Sequence, residues 1–158
     1  MCRLDMSSDS YGVVMDDDAV AEYLESKGVG TLSFGNETGG YGIPMSFGYD
    51  RVEDRIIFQL SFGEESLKAK YIEEGNQVTL SAYDWESIHD WRSVVVRGTL
   101  HEIPVAENSR PAGIFAAFSK IASPEVFQEP LKDLDFEWYD LRIDDVHGRR
   151  AVDAENDE

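Results

Sequence analysis

The chain has 158 residues, 42% of them hydrophobic, which is enough for one domain with a core of its own. Thirty-two acids against 14 bases leave a formal net charge of −18, which disfavours direct binding of DNA or RNA, whose phosphates need clustered Lys and Arg. A single cysteine, Cys2, excludes an intrachain disulfide and a multi-cysteine zinc site.

Residues 1–15 read as a flexible lead; MCRLDMSSDS contains no apolar signal-type stretch. Asp16 to Lys27 has a helical pattern, with aspartates crowding the first turn, Val20, Tyr23 and Leu24 on one face and Gly28 as the stop. VGTLSF (29–34) and YGIPMSFGY (41–49), separated by GNETGG, have the pattern of a hairpin. RIIFQLS (55–61) follows as a strand, and ESLKAKYIEEG (65–75) returns to helical spacing ended by Gly75. QVTLSAYDW (77–85) and WRSVVVRGTLHEI (91–103) are the long strands, 111–120 and 124–132 short helices, and DFEWYDLRIDDV (135–146) the closing strand. RRAVDAENDE (149–158) reads as an acidic tail, leaving 16–148 as the domain. Neighbouring antiparallel strands point to an α+β barrel rather than βαβ units. No apolar run approaches a membrane span, so a soluble, cytoplasmic protein is expected.

Chemistry is sparsely signalled. There is no G-x-S-x-G elbow, no G-x-G-x-x-G between a strand and a helix, and only three histidines, His89, His101 and His147, so no metal site is expected. Ser66 and Lys68 stand in the first turn of a helix that follows a strand, where outward N–H groups and the helix dipole favour an anion. Glu64 and Glu65 oppose them, and by themselves the two residues fit an ordinary surface better. The excess of acid fits a salt-rich cytoplasm, because molar salt shortens the Debye length to ~3 Å and screens surface repulsion. An acidic protein of an ordinary cytoplasm is the other reading.

Taken in order, QLSFGEESLKAKYIEEGNQVTLSAYDW, the preceding YGIPMSFGYD, the following WRSVVVRGTL and the final DLRIDDVHGRR resemble the pyridoxamine 5′-phosphate oxidase-like, FMN-binding split-barrel family over about residues 16–150. The family's Ser-x-Lys, aliphatic and Asn positions fall on Ser66, Lys68, Ile72 and Asn76. The resemblance implies a six-stranded antiparallel split β-barrel with flanking helices. It also implies a homodimer with two FMN sites at its interface. Pro44, Met45, Ser46 and Phe47 would then run along the flavin ring, and Gln59, Leu60 and Ser61 would approach the ribityl chain. Ser66, Leu67 and Lys68 would hold the phosphate. Arg92 and Ser93 would reach across from the second subunit.

Leu67 stands where many members carry Arg, and Pro44 where many carry a basic residue. The Trp and Arg motifs that hold pyridoxal substrates are not recognisable at Trp138–Arg142, so the short, nitroimidazole-resistance-like branch is nearer. The implied activity is an FMN-dependent oxidoreductase acting on a small-molecule substrate, with Ser46 or Tyr49 as candidates to position it. The alternatives are a non-catalytic flavin store or sensor and a deazaflavin- or haem-binding relative, for which His147 would be the axial ligand.

Overall fold

The computed structural model describes residues 12–36, 39–62, 77–105, 109–120 and 135–152. In chain order these form β1 (Val13–Val14), α1 (Asp17–Lys27), β2 (Val29–Asn36), β3 (Gly39–Ser46), β4 (Gly48–Asp50), β5 (Arg55–Phe62), β6 (Gln77–Ser87), β7 (Asp90–Glu102), α2 (Arg110–Phe118) and β8 (Asp135–Arg150). The helices predicted over 65–75 and 124–132 lie outside the described residues.

All strand pairs are antiparallel, in the order β3-β2-β6-β7-β8-β5-β4, with β1 added to the end of β8. The first and last strands of that order, β3 and β4, are one stretch of chain interrupted at Phe47. The sheet therefore closes on itself: this stretch pairs with β2 through its first half and with β5 through its second. The result is a barrel with a split where the stretch passes from one neighbour to the other. It is the predicted split barrel, with eight strands among the described residues where six were expected. The stretch read as one strand, 41–49, divides because the Phe47 N–H leaves the ladder and donates to the Gly28 carbonyl at 2.9 Å. The extra strand, β1, comes from the lead.

The domain also reaches further than residues 16–148. Val13 and Val14 pair with Arg150 and Arg149, and the Met15 N–H donates to the Gly148 carbonyl at 2.8 Å. Two short ends, each too weak alone, satisfy one another's backbone groups.

Alternation of period two places Leu32, Phe34, Phe58, Leu60, Leu80, Val94, Val96 and Leu141 in the core. Helix α1 contributes Val20, Tyr23 and Leu24 to the same cluster. Its start is capped by Asp16, whose Oδ1 accepts from the Ala19 N–H at 2.8 Å, and its first turn carries Asp17 and Asp18 against the positive end of the dipole. Gly28 ends it in the left-handed region at φ 68°. A side chain there would also collide with the Phe118 carbonyl and the Lys120 amide, so glycine is required by conformation and by space together.

Candidate functional site

The split is the feature the fold places among the expected site residues. Pairing of Gly48 with Ile57 and Tyr49 with Ile56 sets a register that, carried back along the chain, would put Ser46 against Gln59 and Pro44 against Ser61. The strands diverge instead, because Ser46 pairs with Val29 and Pro44 with Thr31 on β2. Among the described residues, two strand edges thus face the split without a strand partner: Ile43–Ser46 of β3 and Phe58–Ser61 of β5. Pro44, which has no N–H to donate, is tolerated because β3 ends the pairing order.

The alternation then sorts the side chains. Phe47 and Leu60 have no exposed surface and belong to the core, and Met45 packs against it. These three bring backbone, not side chains, to the split. Pro44, Ser46 and Gln59 lie on the outer face. Tyr49 is core as well: its hydroxyl donates to Asp54 at 2.7 Å, and burial first, then this carboxylate, pushes its phenol above the ordinary range. It stands away from the split and is not available to position a substrate there. Ser61 contributes backbone opposite Phe136, whereas Ser66, Leu67 and Lys68 lie outside the described residues.

Helix α2 closes over this face. Phe115 meets Trp138 edge-on at 5.4 Å, and Gly48 lies so close to the Ile114 carbonyl that a Cβ would come within 2.7 Å of it. At the helix start, Arg110 grips Asp50 through two bonds, 2.6 and 3.0 Å. Asp50 is wholly buried and also accepts from the Glu53 N–H at 3.2 Å, with Arg55 at 3.4 Å. Burial alone would push its carboxyl up, but these donors, led by Arg110, hold it below the usual 3.8. Beyond the other end of α2, the Lys120 N–H donates to the Gly28 carbonyl at 3.0 Å, and the Ser46 hydroxyl donates to the Lys120 carbonyl at 2.7 Å. The segment is therefore fixed at both ends beside the split.

Arg92 and Ser93, expected to act together across an interface, point to opposite faces of β7. Arg92 stacks over the Tyr23 ring at 4.8 Å and lies 3.9 Å from Asp84, on the α1 side of its own chain. Ser93 faces outward, in register with Tyr83 on one side and Arg149 on the other. The cation beside Ser93 is thus Arg149, 7% exposed, and adjacent strand residues cannot share a face. The Gly-Arg-Arg ending was its sequence signal. Along the same outer face, Tyr83 and Trp85 are 71% and 60% exposed.

A cleft of about 620 Å³ opens near the middle of this face, lined by Ser33, Phe34, Gln77, Val78, Arg97 and Asp145. It sits at a bulge where β8 carries one residue more than β7 between Arg97 and Gly98. Asp144 and Asp145 line it against the one cation Arg97, 3.8 Å from Asp145, so its charge does not suit a phosphate. His147 is 3.3 Å from the same Asp145 carboxylate. No helix among the described residues is long and apolar enough to cross a membrane.

Comparison with known proteins agrees with this architecture. An FAD-binding protein from Mesorhizobium loti superposes with a TM-score of 0.70 at 18% identity, over 89% of this chain and 98% of that one. The FAD binding protein of Mycobacterium smegmatis gives 0.65 at 15% identity over 88% and 98%. A candidate 5-nitroimidazole antibiotic resistance protein from Bacteroides thetaiotaomicron gives 0.61 at 18% over 87% and 86%. At these identities the likeness is one of fold. No curated protein is significantly similar to the chain. The family model described as pyridoxamine 5′-phosphate oxidase matches residues 16–150. That stretch runs from the cap of α1 to the last residue of β8 and contains both edges of the split, so the chain belongs to the pyridoxamine 5′-phosphate oxidase family.

Proposed function

We propose that this protein is a flavoprotein that binds FMN at the split, between two copies of the chain, and works as an oxidoreductase on a small molecule. The observation that carries the reading is the pair of strand edges, Ile43–Ser46 and Phe58–Ser61, that face one another without strand partners in a chain of this family. A flavin ring is flat and apolar with one hydrogen-bonding edge. Backbone N–H and C=O groups at a strand edge suit that edge, and the Ser46 hydroxyl and Gln59 amide add side-chain donors and acceptors on the outer face. The residues present therefore fit the ring.

In this reading Pro44 to Phe47 orient the ring, mainly through backbone. Gln59 to Ser61 face the ribityl chain, and Ser66, Leu67 and Lys68 hold the phosphate. Ser93 of the second copy, with Arg149 beside it, completes the site. The bound flavin supplies the redox chemistry, so the chain need provide no strong acid or base. Its work is to bind, to orient and to keep water from the ring, which α2 and the outer-face aromatics are placed to do.

Titration of the purified protein in molar potassium chloride with FMN and, in parallel, FAD tests the reading through flavin fluorescence. The expected outcome is saturation near one FMN per protomer, weakened about tenfold in Lys68→Ala, with a dimer in sedimentation. Tighter binding of FAD would replace FMN with FAD at the same site. Absence of binding by either flavin overturns the proposal.

A further inference from the structure

We infer that Lys120 is a second anion-holding residue of this site, taking a phosphate or carboxylate oxygen of what binds at the split. The inference rests on the flavin reading above and adds a residue that nothing in the family signature named.

Three observations carry it. Lys27, Arg51, Arg55, Arg92, Arg97, Arg110 and Arg142 each stand 2.6–3.9 Å from a carboxylate. Lys120 is exposed, and among the described residues no carboxylate lies within ion-pair distance of it.

Its backbone, unlike that of an ordinary surface lysine, is clamped at both polar groups. The N–H donates to Gly28, where α1 passes into β2, and the carbonyl accepts from Ser46 on the edge of the split. Its Cγ lies so close to Gly28 that a Cβ on that glycine would come within 2.9 Å. The origin of the side chain is thereby fixed beside Ser46, and a four-carbon stem lets its ammonium reach an anion there.

Charge gives the third. A net charge of −18 repels any anionic ligand, which makes an exposed cation beside Ser46 worth more than in a neutral protein.

The anionic oxygen has two sources, the cofactor's phosphate or an acidic group on the substrate, and the experiment separates them. Wild type, Lys120→Gln and Lys120→Arg are titrated with FMN and with riboflavin, which lacks the phosphate. The FMN-loaded proteins are then titrated with benzoate and with inorganic phosphate, following the visible absorbance of the flavin. Thermal unfolding of each apoprotein reports a purely structural role. Weakening of FMN but not riboflavin by about tenfold in Lys120→Gln, rescued in Lys120→Arg, assigns the residue to the cofactor. Unchanged FMN affinity with about tenfold weaker benzoate or phosphate binding assigns it to the substrate. Equal affinities for all four ligands in wild type and Lys120→Gln overturn the inference while leaving the flavin reading intact. Wild type that binds no flavin at all removes the flavin reading instead.

Discussion

Asp50 is the residue whose charge and position are most tightly coupled. It has no exposed surface, yet Arg110, Arg55 and the Glu53 N–H converge on its two oxygens, so its ionised form is favoured in spite of burial. Because its folded-state pKa is below the unfolded value near 3.8, its contribution to stability is present above that value and is lost as pH falls through the folded one. Asp50→Asn leaves Arg55 and Arg110 with a neutral partner and is expected to lower stability by about 2 kcal/mol at pH 7. Denaturant midpoints measured from pH 7 to pH 2 check this: the gap between the two proteins narrows below pH 3.8. A gap that stays constant to pH 2 would mean that shape, not charge, is what Asp50 supplies. The sequence offered no sign of this residue, since Asp50 lies between the strands read over 41–49 and 55–61 and its partner Arg110 is sixty positions away.

Among the strands, β7 and β8 set the curvature. Their pairing runs from Arg92–Arg150 to Glu102–Tyr139 and slips by one residue at Gly98. An ideal Cβ on Gly98 would overlap the Arg142 carbonyl and approach Leu141 Cδ2 to 2.7 Å, so the two backbones approach there as only glycine allows. Gly98→Ala is expected to cost about 2 kcal/mol by overpacking, read from thermal or chemical unfolding. Because the bulge aims Asp145 and Arg97 into the cleft and lies away from the split, FMN affinity at a temperature where the variant stays folded should be unaltered. A loss of affinity without loss of stability would place the flavin in the cleft instead. The run WRSVVVRGTLHEI was readable as a strand, but the slip within it was not. A bulge is decided by the partner strand, and nothing local in 91–103 reveals an extra residue at Asp144.

The chain as a whole must fold against its own charge. Most of the ion pairs described involve exposed or half-exposed groups, such as Arg51 with Asp18 and Glu25 at 3.2 Å, and such pairs contribute little individually. Screening the unpaired acids is therefore the larger effect. The unfolding midpoint should rise by about 5–10 °C between 0.1 and 2 M potassium chloride, as the Debye length contracts from about 10 Å to a few ångströms. A flat dependence would favour an ordinary cytoplasm over the salt-rich one.

Patterns of local origin were open to reading from the residues in order. The α1 cap at Asp16, its stop at Gly28, the alternation in 77–85 and 91–103 and the absence of a Rossmann or hydrolase signature all depend on neighbours within a few positions. The ordered likeness to the family carried the split barrel and named Pro44–Phe47 and Gln59–Ser61 as expected flavin contacts; the structure sets both stretches at the split. Tertiary structure decided the rest. It broke 41–49 at Phe47 because a bond to Gly28 was available, and it laid Arg92 over the Tyr23 ring while pairing Arg149 with Ser93 in register. It also brought Lys120 to Ser46 across seventy-four positions. Each of these is a contact between segments far apart in the chain, chosen by which backbone groups and charges remain to be satisfied once the barrel closes, and no window of sequence contains both partners.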